Sequence, residues 1–214
     1  MDLAEAEPFQ DLNQQVSTCT LCDLSKTRNR AVPGEGDHHA EVMFIGEGPG
    51  SNEDQQGRPF VGRAGQFLNQ LIDLIELRRP DVYITNVVKC RPPDNRDPLP
   101  FELAACLPYL QRQIELIEPR VIVTLGRYSL GTFFPGDLIS RVHGTVRVKD
   151  NRHFFPMYHP AAALHQERYK QTIIDDMKKL GQWLVATRAE QSKLADGGEQ
   201  ADAAEDDQTQ LSLF

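Results

Sequence analysis

No apolar run in this sequence approaches the ~20 residues that span a bilayer. The opening "MDLAEAEPFQ" is acidic and lacks the basic-then-apolar order of a secretory leader. Together these absences predict a cytoplasmic protein with no membrane association. Cysteine is scarce: four in 214 residues, at positions 19, 22, 90 and 106. In a cytosolic chain of this size that argues against an extracellular disulfide framework and favours a metal-binding or catalytic role. Internal repeats are absent. So are the lysine and hydroxyl that would make a phosphate-binding P-loop of the glycine-rich turn "GEGPG" (46–50), whose second residue is an acid, Glu47. What that turn holds is therefore open at this point.

With 40% hydrophobic residues the chain can build one sizeable core. The net charge of −8 does not argue against a nucleic-acid partner, because it sits at the ends. Residues 187–214 hold seven acids against two bases, and residues 1–12 hold four acids and no base. The remainder is near neutral and is free to carry a basic face.

Four β-rich runs, "EVMFIG" (41–46), "VYITNVV" (82–88), "RVIVTLG" (120–126) and "HFFPMYH" (153–159), alternate with helical periodicities. The helices fall at 8–17, 64–77, 101–118, 127–134 and 166–187. This order predicts an α/β fold with a central, mainly parallel four-stranded sheet covered on both faces. "RVHGTVRVKDNRHFF" (141–155) reads as an inserted hairpin turning at Asp150-Asn151. From about 188 the apolar residues thin out, which predicts a disordered acidic tail following a domain of residues 1–187.

Ligands of such sheets bind beyond the C-terminal strand ends. The polar residues expected there are Glu47, Asn86 and His159, a carboxylate, an amide and an imidazole facing one crevice. The cysteines form C-x2-C, 67 residues, then C-x15-C. The close pair grips one side of a metal, and the distant pair completes the site if the fold brings it near. By spacing alone, zinc and an iron–sulfur cluster both remain open.

Taken in order, "GEGPG" (46–50), "GRPFVGRAG" (57–65), "YITNVVKCRPPDNRDP" (83–98), "HP" (159–160) and the four cysteines resemble the family 4 uracil-DNA glycosylases, iron–sulfur members of the uracil-DNA glycosylase superfamily. The resemblance covers roughly residues 13–187. It implies a three-layer α/β/α sandwich, a [4Fe–4S] cluster on Cys19, Cys22, Cys90 and Cys106, and removal of uracil from DNA. A base must leave the stack to be excised, so the glycine-rich turn is expected to hold a flipped base and a water. Glu47 would activate the water and stabilise the cationic sugar. His159 would donate to the charge developing on uracil O2, helped by the N–H of Gly48. Phe60 would be the stacking platform. Asn86 would read the N3–H and O4 edge, and a block near Glu53 would exclude the thymine methyl.

Arg58, Arg63, Lys89, Arg91 and Arg96 flank these motifs as candidate phosphate contacts, and Leu164 is a candidate duplex wedge. A related branch that retains uracil covalently carries an extra basic loop. Here "PFVGRAG" runs straight into "QFLNQLIDLIEL", so turnover by a monomeric hydrolase is expected. The final "QLSLF" resembles a bacterial sliding-clamp-binding motif, with Gln210, Leu211, Leu213 and Phe214 as the partner contacts. About 22 residues of tail would give a reach of roughly 25 Å, tethering the enzyme near replicating DNA.

Overall fold

The computed structural model describes residues 3–210, with side chains over 8–193. In chain order the elements are α1 (Leu3–Thr18), β1 (Glu35–Gly36), β2 (Val42–Gly46), α2 (Ser51–Gln56), α3 (Arg63–Leu74), β3 (Tyr83–Asn86), α4 (Pro100–Ile117), β4 (Val121–Leu125), α5 (Arg127–Phe133), α6 (Ile139–Val142), β5 (Arg147–Lys149), β6 (Arg152–Met157), α7 (Ala161–His165) and α8 (Arg168–Gln210). The sheet order is β1-β3-β2-β4-β6-β5. Its four central strands are parallel, as expected, and the short outer strands β1 and β5 are antiparallel. The sheet therefore has six strands rather than four. The two extra strands are two and three residues long and largely polar, so they carry no apolar signal.

The central strands read as unbroken apolar runs because both of their faces are covered. One face packs Phe44, Ile84, Val123 and Phe155 against Leu68, Leu71 and Ile72 of α3 and Ile173, Met177 and Leu180 of α8. The other packs Met43, Ile45, Ile122 and Phe154 against Phe9 of α1 and Leu110, Ile114 and Ile117 of α4. This is the three-layer sandwich.

Three expectations change in detail. The hairpin is β5–β6, and its turn is at Asp150-Asn151, both residues at positive φ (50° and 59°), the backbone that matches strand twist in a two-residue turn. Residues 139–142, however, are helical, and β6 is itself the fourth parallel strand. The helix expected at 166–187 begins at Arg168 and continues to Gln210. Ala, Glu, Gln and Lys beyond 188 are good helix formers even without apolar partners. Leu211, Leu213 and Phe214, the expected clamp contacts, lie outside the described residues, as does the side chain of Gln210.

Candidate active site

The parallel register sets the site. Gly46, the last residue of β2, pairs with Asn86, the last of β3, while Leu125 of β4 pairs with Met157 of β6. The residues just beyond these ends converge on a cavity of about 430 Å³, lined among others by Glu47, Gly48, Glu53, Phe60, Asn86 and His159. Every expected catalytic and base-binding residue is thus in one place. Pro92, Asn95, Arg96 and His165 also line it. Sequence reasoning left Asn95 and His165 out; Asn95 carried a signal in its turn-forming "PPDNRDP" loop.

Gly46 is where the site is tightest. A Cβ there would lie 2.4 Å from Asn86 Oδ1 and 2.6 Å from the Phe60 ring. Glycine therefore lets the amide and the ring sit side by side. At Gly48 the close neighbour of a Cβ would be Val88 (2.7 Å), so that glycine answers to protein packing and not only to an approaching base. Asn86 is 1% exposed, and its Oδ1 is buried with no hydrogen-bond partner. Such an orphaned acceptor is uncommon and costly. It points to a ligand donor.

Phe60 is buried, and its ring stacks on His159 with centroids 5.5 Å apart and planes 27° from parallel. The N–H of Ala161 donates to His159 Nδ1 at 3.1 Å. That leaves the proton of the neutral ring on Nε2. Burial lowers the pKa of His159 to about 4, against a smaller opposing pull from Glu53. The imidazole is therefore neutral near pH 7. Burial also raises the Glu47 carboxyl above its usual range; Asp97 adds to this and Arg127 opposes it. Glu53 Oε1 accepts the N–H groups of Val61 and Gly62 at 2.9 and 2.8 Å, tying the cavity wall to the start of α3.

The four cysteines come from distant segments and meet. Cys90 and Cys106 are buried with Leu24 and Val88, and Cys22 packs against them. Burial raises the pKa of the Cys22, Cys90 and Cys106 thiols, Cys106 to about 11, and neighbouring cysteines add to each shift; Cys19 acts on both Cys22 and Cys90. Three sulfurs accept hydrogen bonds: Cys90 from Arg28 (3.0 Å), Cys106 from the Lys89 N–H (3.4 Å) and Cys19 from the Leu21 N–H (3.5 Å). Such donors suit thiolates. Among the described residues, no three His, Cys, Asp or Glu side chains are placed to share a single metal ion. Four thiols with N–H donors on three of their sulfurs form a donor set that either zinc or an iron–sulfur cluster takes.

Among the candidate DNA contacts, Lys89 is a correction. It is 1% exposed, and its Nζ donates to Thr85 Oγ1, the Asn86 carbonyl and Gln113 Oε1 at 2.6–2.7 Å. The chain leaving β3 turns this side chain inward against α4, and no phosphate can reach it. Arg58 is exposed but forked onto Glu35 (2.7 and 3.2 Å). Arg91 donates to Asn95 (2.8 Å), and Arg96 to the fully buried carboxylate of Glu102 (2.6 and 2.9 Å). Arg63 is exposed at the start of α3. Leu164 is 38% exposed on α7.

The model of the family described as "Uracil DNA glycosylase superfamily" matches residues 33–178. A type-4 uracil-DNA glycosylase of Sulfurisphaera tokodaii is 44% identical over 192 residues, covering 85% of this chain and 87% of that protein. Type-4 uracil-DNA glycosylases of Archaeoglobus fulgidus (46% over 185 residues, 82% and 93%) and Saccharolobus solfataricus (48% over 176 residues, 78% and 82%) are similar. The chain belongs to the uracil DNA glycosylase superfamily, within its type-4 branch.

Proposed function

We propose that this protein excises uracil from DNA in base-excision repair, hydrolysing the N-glycosidic bond of deoxyuridine and leaving an abasic site. The observation that carries the base assignment is the unpartnered Oδ1 of Asn86, a residue that lines the cavity. An amide there accepts from uracil N3–H and donates to O4. Cytosine reverses both groups and would leave buried polar atoms unpaired, which is strong discrimination. Phe60 stacks on the flipped ring, and Glu53 stands where the 5-methyl of thymine would come.

The neutral His159 donates from Nε2 to O2 as negative charge develops on the leaving base, with the Gly48 N–H alongside. A neutral donor does this without first taking up a proton from solvent. Glu47, ionised, orients the attacking water, takes its proton and stabilises the cationic sugar. Lys89, the lysine whose pKa burial lowers to about 7, is committed to three acceptors on the α4 side. It is not placed as a Schiff-base nucleophile, and excision without strand cleavage is expected. Arg63, Arg91 and, on release from Glu35, Arg58 meet phosphates, and Leu164 enters the space left by the base.

Cys19, Cys22, Cys90 and Cys106 would hold a [4Fe–4S] cluster. Its contribution when bound would be to cross-link the chain after α1 to the 90–99 loop and the start of α4. The C-terminal "QLSLF" would dock on a bacterial sliding clamp; clamp pull-down should be lost in Phe214→Ala. The excision itself is tested with labelled oligonucleotides carrying one uracil opposite guanine, opposite adenine or single-stranded, beside thymine and cytosine controls. Alkali-sensitive breaks in the uracil lanes alone support the reading. DNA binding without any break moves the protein to a non-catalytic binding role.

A further inference from the structure

Phe60 does not hold its position unaided. It is a bulky aromatic residue at φ +50°, in the left-handed region that side chains avoid. Its main chain is held from two sides. On one side α3 closes in: a Cβ on Gly65 would stand 1.8 Å from the Phe60 carbonyl oxygen. On the other stands Arg79, in the turn before β3. Its Nη1 donates to the Phe60 carbonyl (3.2 Å) and to Asn69 Oδ1 (2.8 Å), while its Nη2 donates to the Pro59 carbonyl (2.6 Å). Its Nε donates to Glu35 (2.7 Å), and the side chain is only 18% exposed. A planar fork that grips two successive carbonyls fixes a peptide unit in orientation as well as in place. Lysine could not do the same.

We infer that Arg79 is a positioning residue for uracil excision, clamping the Pro59–Phe60 main chain so that the Phe60 ring stays at the height where a flipped base stacks. The inference rests on the reading of Phe60 as the base platform. Arg79 lies outside the cavity lining and touches neither the base nor the sugar. It acts only through Phe60. A misplacement of the platform by about 1 Å lowers excision by up to about 100-fold, and that loss depends on the ring being there to misplace.

The test is a double-mutant cycle on uracil excision from duplex DNA, with thermal unfolding of each variant alongside. Arg79→Met keeps the stem and removes the fork; Asn69→Ala, which frees one arm of the guanidinium, is the milder version should Arg79→Met fold poorly. In the wild-type background Arg79→Met should lower kcat/KM about 10- to 100-fold. In a Phe60→Ala background the same change should cost less than about 3-fold. Arg79→Lys should not rescue, since it restores charge without the fork. Equal losses in both backgrounds would make Arg79 a general stabiliser and overturn the inference, as would an unaffected rate in Arg79→Met or Asn69→Ala. If Phe60→Ala itself excises at the wild-type rate, the platform reading falls, an outcome separable from failure of the clamp.

Discussion

Asn86→Leu separates binding from stability in opposite directions. The wild-type amide is 1% exposed, with Oδ1 buried and unpartnered. An unsatisfied buried acceptor costs about 1–3 kcal/mol, and replacing it by an apolar group of similar shape recovers part of that. Allowing for imperfect fit beside Gly46, the free protein should gain about 1 kcal/mol, a rise of about 2–4 °C in Tm for a chain of this size. Excision should move the other way. Two hydrogen bonds to uracil disappear, and the N3–H and O4 of a captured base are left buried without partners. At about 3–5 kcal/mol in all, kcat/KM for uracil falls about a hundred- to a few thousand-fold. Calorimetry on the free protein and single-turnover excision supply the two numbers. A lower Tm, or excision retained within about tenfold, refutes the argument that Asn86 is an acceptor held open for the base.

The pH dependence should follow Glu47, whose carboxyl must be ionised to act. Its pKa is raised by burial and by Asp97 and lowered by Arg127. Activity should therefore fall on acidification with a midpoint above the ordinary glutamate value; Asp97→Asn should move that midpoint down and Arg127→Met should move it up, read from rate–pH profiles. His159 stays neutral down to about pH 4 in the folded protein, while the unfolded chain takes up its proton near pH 6.5. That contribution is intact above pH 6.5 and is lost as pH falls towards 4, at up to about 1.4 kcal/mol per pH unit; denaturant melts of wild type and His159→Gln across this window measure it. Arg63→Gln should reduce the slope of log affinity against log salt by about one, whereas Lys89→Met should leave it unchanged, because Lys89 meets no phosphate. Leu164→Ala should change stability by no more than about 0.5 kcal/mol, yet slow excision from duplex more than from single-stranded DNA, since only a duplex needs a wedge.

The layers and the cavity floor were legible in the sequence because parallel strands buried on both faces write continuous apolar runs, and because chemistry in such sheets sits where those runs end. Glu47, Asn86 and His159 follow from that rule alone. Lys89 was misread because "KCRPP" looks like an exposed basic loop; nothing local says that Thr85, the Asn86 carbonyl and Gln113, 24 residues further on, supply it with three acceptors. Arg79 was missed for a similar reason. Its partners Glu35, Pro59, Phe60 and Asn69 are 10 to 44 residues away, and a clamp on main-chain carbonyls leaves no pattern in the sequence. The edge strands were hidden because two- and three-residue polar strands have no periodicity to read.

The central claim is hydrolysis with turnover. Free uracil should be quantified by mass spectrometry after incubating the cluster-loaded protein with a molar excess of DNA containing one uracil per duplex. The account predicts one free uracil per abasic site, several per protein molecule, and none from Glu47→Gln. Uracil that stays with the protein at one equivalent, or DNA recovered with its uracil intact, would contradict it.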